Sequence, residues 1–306
     1  MHAPMKITFL LICCMIIIGC SKQPSSVEEQ QTPKESKQLV PAADRIGNNA
    51  VQEDADAQFK LGLVYLDGKG VPKDEGKAAE CFLKAATQGH ANAQTGLGLM
   101  HQNGTGIPKD EAKAAEWFQK AAAQGNADAQ NSLGGMYDKG KGVPKDEAKA
   151  AEWFQKAAAQ GNPMAQFRLG SMYEDGKGVP NDINKAVELF RKAADQGYAE
   201  GQGKLGTMYA YGVGVPKDEA KAFELCLKAA TQGDPVAQLF LGSMYEDGTG
   251  VKKDDVRAYA WLILAPSEIL DDAKKLRDAI ETRLTPTQKA EAQKLSAELS
   301  ARMPKK

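Results

Sequence analysis

Histidine and cysteine are scarce in this chain, and their scarcity removes whole classes of chemistry. Its 306 residues hold only 3 histidines and 5 cysteines. No HExxH, CxxC, GxSxG or Ser-x-x-Lys pattern occurs, so the residue sets of zinc hydrolases, dithiol centres and serine acyl-enzymes are missing. Neither a metal nor a cofactor is expected. Neither charge dominates: 39 Lys+Arg stand against 40 Asp+Glu, a formal net of −1. A nucleic-acid binder needs a basic excess, so that class is set aside. Aromatics make up only 7%. A core with so few large rings must rely on close backbone approach, with alanine and glycine as the contact residues.

A long apolar run is also missing, except at the start. Ile7 to Ile18 is unbroken save for Thr8. As a helix it spans ~18 Å, short of the about 30 Å of a bilayer core. It reads as the apolar part of an export signal. The run ends in Ile17-Ile18-Gly19-Cys20, which resembles a bacterial lipobox. That resemblance implies a signal peptide over 1–19 and Cys20 as the lipidated first residue of the mature protein. Ser21, rather than aspartate, follows it. By the same resemblance this implies an outer-membrane lipoprotein facing the periplasm, attached through its N-terminal lipid. The stretch that follows, to residue 50, is rich in Ser, Gln, Glu, Lys and Pro. It has too little to bury to offset its ordering entropy, and reads as a tether of roughly 30 Å mean span. Of the cysteines left, Cys81 and Cys226 fall among apolar helix positions and read as small core residues.

The rest of the chain repeats. Gly68, Gly104, Gly140, Gly176, Gly212 and Gly248 recur every 36 residues, each followed two positions later by another glycine. Val or Ile comes next, then proline in five copies and Lys252 in the sixth. Asp74, Asp110, Asp146, Asp182, Asp218 and Asp254 then stand where a helix N-cap belongs. Each of these begins a helix B, which in five copies ends at a Gln-Gly such as Gln88-Gly89, with glycine at the left-handed C′ position; in the sixth Ile269 replaces that glycine. The helix A before it runs over about 56–66, with Gln58, Leu61, Gly62 and Tyr65 on one face. Glycine fills the Gly62 slot in every copy, at roughly 0.5–1 kcal/mol each relative to alanine. Packing of helix A against Ala78 and Ala85 is the simplest compensation.

A phosphate-binding loop at Gly140-Lys141-Gly142 is excluded, because no copy ends in Gly-Lys-Ser/Thr and a helix, not a strand, precedes it. Trp117, Trp153 and Trp261 share one slot with Cys81, Leu189 and Leu225, which reads as packing. His101 takes a slot that is tyrosine in the other copies, and reads the same way.

With these residues in view, "ADAQFKLGLVYLDGKGVPKDEGKAAECFLKAATQGH" resembles the Sel-1-like repeat, a 36-residue relative of the tetratricopeptide repeat. The resemblance implies an all-α fold: a right-handed α-solenoid of six helix-turn-helix repeats over 51–270. Residues 271–306 follow as C-terminal capping helices, with Thr285-Pro286-Thr287-Gln288 spaced as a capping box. It also implies a non-enzymatic adaptor that binds another protein in a concave groove. An immunity protein neutralising a secreted toxin, such as a phospholipase effector, is the second reading. A peptidoglycan- or β-lactam-active enzyme is the remote third, because the paired cysteines of relatives discussed in that light are missing here. No small-molecule substrate is expected. Within helix A, the slots of Asp56, Phe59, Leu63 and Leu66 vary most between copies. They mark Phe59, Leu63, Asn131, Asp138, Phe167, Glu174, Leu239 and Glu246 as candidate partner-binding residues. Phe59, Phe167 and Leu239 are expected to be exposed apolar anchors.

Overall fold

The computed structural model describes residues 54–266 and 271–304. The signal segment, Cys20 and the tether lie outside the described residues. Fourteen helices and no strand occur among those described. Six A/B pairs come first: α1 Ala55–Asp67 and α2 Glu75–Thr87; α3 Ala91–Asn103 and α4 Glu111–Ala123; α5 Ala127–Lys139 and α6 Glu147–Ala159. They continue with α7 Pro163–Asp175 and α8 Ile183–Asp195; α9 Ala199–Tyr211 and α10 Glu219–Thr231; α11 Pro235–Asp247 and α12 Asp255–Leu264. Helices α13 Asp271–Glu281 and α14 Pro286–Arg302 close an α-solenoid array. Two compact units divide it, one reaching Ala129 and including Lys141–Val143, the other comprising Gln130–Gly140 and the residues from Pro144 onward.

All six B helices start on the aspartates that the sequence marks as caps. Each carboxylate accepts from the backbone N–H three residues on, at 2.9–3.0 Å. For Asp74, Asp110, Asp146 and Asp182 this backbone hydrogen bond holds the carboxyl below its usual range, helped by the lysine at the same position. The sign follows: a depressed folded pKa gives stability that is complete above the unfolded value of about 3.9 and is lost as pH falls through the folded value. Melting temperature is therefore expected to hold from pH 7 to about 5 and to drop below about pH 4. Changing these four aspartates together to asparagine, which caps without titrating, should make that acid limb shallower in a calorimetric pH series, the lowered Asp56, Glu188, Glu219 and Glu224 keeping the rest of it.

Helix A rests on helix B through the mid-helix glycine, but its partner differs from the expected alanines. In the first unit, a Cβ on Gly62 would lie 2.5 Å from the Phe82 ring, and one on Gly98 2.7 Å from Phe118. In the second unit Gly134 and Gly170 meet Phe154 and Phe190 at 2.8 Å, Gly206 meets the Cys226 sulfur at 2.6 Å, and Gly242 meets Leu262 at 2.7 Å. The Ala78 carbonyl, at 3.3 Å from the Gly62 position, is the second neighbour. One ring slid under a bare backbone stretch is how a chain so poor in aromatics builds a core. Both remaining cysteines are buried and free, and burial pushes the Cys226 thiol up to about 12.

Consecutive repeats are joined by buried glutamines. The Gln94 amide donates to the Ala86 carbonyl at 3.0 Å, and its oxygen accepts from Gln124 at 2.7 Å. In the second unit Gln166 donates to Ala158 and accepts from Gln196, and Gln202 donates to Ala194 and accepts from Gln232. A buried primary amide is tolerated only when paired, and here the next repeat supplies the pair. At the C-terminal end Ala273, Ile280, Leu284 and Ala292 share a core with Trp261 and Leu262. Thr285 and Gln288 form the capping box, each bonding the other's backbone N–H.

Candidate protein-binding face

The variable helix-A slots lie on a face of each A helix adjacent to its core face, and Leu66, Thr95, Asn131 and Ala210 among them are buried. In the first unit Phe59 is half-buried, stacked 5.5 Å from Phe82 and 4.7 Å from His90. Leu63 packs into the same cluster. His90 is itself a helix cap, its Nδ1 accepting from the Ala93 N–H at 3.1 Å, which leaves the proton of the neutral ring on Nε2.

In the second unit Phe167 is half-buried between Phe190, at 5.6 Å, and Tyr198, at 5.8 Å. Leu239 packs against the last-repeat core. The expectation that Phe59, Phe167 and Leu239 stand exposed is thus corrected: each leans on the next repeat or the core beneath it. Asn131 is 7% exposed; its amide donates to the Met164 sulfur at 3.3 Å, while its carbonyl oxygen has no partner among the described residues. Glu174 pairs with Lys204 at 2.7 Å, and Glu246 pairs with Arg283 at 2.7 Å. Arg283 also reaches Asp255 at 3.2 Å, so Glu246 ties the sixth repeat to the capping segment. Asp138 is half-buried with no ion pair within 4.0 Å among the described residues.

Two features escaped the sequence reading. Arg168, beside Phe167, lies over the Phe154 ring with its guanidinium carbon 5.6 Å from the centroid. Its slot holds Lys60, Gly96, Ser132, Lys204 and Phe240 in the other copies, a variability that could have flagged it. Tyr211, at the end of α9, is 71% exposed, its ring tilted against Phe240 at 5.9 Å. It stands where the other copies have Asp, Asn or Lys. Tyr211, with Phe240 against it, is a large aromatic side chain left exposed on the described residues.

The opposite side of the pairs carries a second pattern. Lys77, Lys149, Lys185, Lys221 and Arg257 each lie over the tyrosine of their own repeat, at 4.5–5.8 Å. In the second copy His101 replaces the tyrosine, and its buried Nδ1 has no partner among the described residues. A cavity of about 550 Å³ opens there, lined by Leu97, His101, Ile107, Lys113 and Trp117 among others. Trp117 and Trp153 are half-buried, with Lys120 and Lys156 over their rings at 4.1 and 3.9 Å, whereas Trp261 is buried in the last core. The shared slot is therefore a half-covered outer stripe in two copies and core in the sixth. No group of three or more His, Cys, Asp or Glu able to hold a metal occurs among the described residues.

The Sel1 repeat family matches residues 55–90, 91–126, 127–162, 163–198, 199–234 and 235–265. A Sel1 repeat protein of Oxalobacter formigenes is similar to this chain at 34% identity and a TM-score of 0.68, over 73% of this chain and 89% of that one. A Sel1 repeat protein of Klebsiella pneumoniae shares 26% identity at a TM-score of 0.45, over 66% and 99% of the two chains. The immunity protein PA5088 of Pseudomonas aeruginosa shares 22% at 0.48, over 88% and 89%. No curated protein matches. Six tandem matches, in register with six capped A/B pairs, establish that this chain belongs to the Sel1-repeat family.

Proposed function

We propose that the chain is a non-enzymatic adaptor that holds a partner protein on the helix-A face, with Tyr211 and Phe240 as the apolar anchor. Sel1 repeats are a protein-interaction fold, and in a repeat array the invariant positions carry the stacking while the variable ones are free to contact a partner. The observation that carries the reading is the contrast within one repeat unit. The B-helix caps, the glycines and the bridges at Gln94, Gln166 and Gln202 recur with their bonds made, whereas the helix-A slots change from copy to copy, and just past them Tyr211 is left 71% exposed.

The same reading places the adaptor on the periplasmic side of the outer membrane, held by lipid on Cys20 with the segment to residue 50 as spacer. Labelled palmitate should enter the wild-type chain and not Cys20→Ala; incorporation into both would reject the anchor. Affinity capture from membranes should enrich a partner with the wild-type chain and lose it with Tyr211→Ser/Phe240→Ser. A partner that is a secreted lytic enzyme, silenced on binding, would turn the adaptor into an inhibitor. Equal capture by both chains would reject the face.

A further inference from the structure

Arg168 is a guanidinium set in place without an acid to hold. It is half-buried on α7, above the Phe154 ring and close over α5. A Cβ on Gly135 would lie only 2.7 Å from its Nη1, so the glycine makes room for it. Among the described residues it has no hydrogen bond and no ion pair within 4.0 Å. The next copy shows what the slot does when an acid is in reach. Lys204 lies over Phe190 at 5.8 Å and closes on Glu174 of the preceding repeat at 2.7 Å. For Arg168 the residue in the Glu174 slot is Asp138, one methylene shorter, and the pair stays open.

Leaving such a charge half-buried and unbonded is costly unless something completes it. Burial pulls the Arg168 pKa down, while Tyr198, Asp138 and Glu200 act to hold the charge. Those groups lie near enough to act on the charge, yet none bonds it within 4.0 Å. They also limit what can bind: a dianionic phosphate would meet Asp138 and Glu200 as repulsion, whereas a planar monoanionic carboxylate matches the guanidinium fork.

We propose that Arg168 is the site where the partner protein inserts one aspartate or glutamate side chain, paired to the guanidinium over the Phe154 ring. The proposal rests on the reading of the helix-A face as a protein-binding surface and deepens it to the chemistry of one contact.

The test pans displayed random dodecapeptides on the full chain and then measures the selected peptides by calorimetry. The expected result is a set sharing one acidic position. Changing that acid to its amide should weaken binding to the wild-type chain about tenfold or more, but Arg168→Gln binding less than about twofold. Gly135→Ala keeps the charge and displaces the guanidinium, so it should reproduce the loss; both variants are checked for unchanged helicity and melting. Inorganic phosphate should compete no better than acetate. Peptides that bind this face without an acid requirement, or that bind Arg168→Gln equally, would overturn the carboxylate site while leaving protein binding intact. Preferential competition by phosphate would reassign Arg168 to a phosphoryl ligand. Failure to select any peptide dependent on Tyr211 or Arg168 would instead overturn the reading of the face itself, and the carboxylate site with it.

Discussion

Gly178→Ala should destabilise the protein by about 3 kcal/mol or more, and Gly70→Ala by only about 1 kcal/mol, although both glycines fill the same slot. Both have left-handed backbones, φ 67° and 77°, and share that part of the cost. What differs is the neighbour. A Cβ on Gly178 would lie 2.1 Å from the Glu147 carbonyl oxygen and 2.4 Å from its carbon, the first turn of α6, whereas one on Gly70 meets nothing within 4 Å. Backbone cannot rotate aside as a side-chain tip can, so α6 and the turn after α7 must part. Gly142 and Gly250 make the same approach to Glu111 and Glu219, at 2.0 and 2.1 Å. Because repeat arrays lose cooperativity when an interface weakens, hydrogen exchange is the better readout than a single melt. Exchange in α6 and α7 should rise in Gly178→Ala; equal effects of the two substitutions would refute the inter-repeat role of this glycine.

Phe190→Ala should cost about 3–5 kcal/mol, and Phe190→Leu less than about 1.5 kcal/mol. Phe190 is fully buried and lies under the bare backbone of Gly170. Truncation leaves a gap that helix A cannot close, since its glycine has no side chain to fill it. Leucine occupies the equivalent slot at Leu262, packed against Gly242 at 2.7 Å, which shows that the slot accepts a branched aliphatic. Phe190 also supports Phe167 and Lys204 on the face above. Denaturant melts measure the stability, and the alanine variant should lose partner binding as well. Similar losses for alanine and leucine would mean that the aromatic ring itself, rather than the filled volume, holds the two helices together.

Much of this architecture was legible because the chain states it six times. The aspartate caps, the αL glycines and the capping box at Thr285 rest on local rules, and local rules transfer from sequence to structure with little loss. The partner of the Gly62 slot was not legible, since choosing Phe82 over Ala85 depends on the crossing of two helices. Nor were the glutamines: Gln88 and Gln94 both recur, but that a Gln94-type amide bridges a preceding carbonyl and a following glutamine requires the stacking of three helices. The exposure of Phe59 and Phe167 was misjudged for the same reason, because each is covered by the residue about thirty positions on, His90 or Tyr198. Arg168 was not legible either, since whether a helix-A cation reaches an acid of the preceding repeat, as Lys204 reaches Glu174, depends on how two repeats stack. Cys20 and the tether lie outside the described residues, and their roles stay proposals from the lipobox resemblance.

The central claim, that one face of the repeats holds a protein, is tested most directly by position-specific photocrosslinking in the cells that make the chain. A benzoylphenylalanine probe at Ser171 or Thr207 sits on the helix-A face, and one at Glu152 or Glu224 on the exposed side of a B helix. The account predicts a discrete protein adduct from Ser171 and Thr207, diminished by Arg168→Gln, and none from Glu152 or Glu224. Adducts confined to the B-helix positions, or the same adducts from both sides, would contradict it.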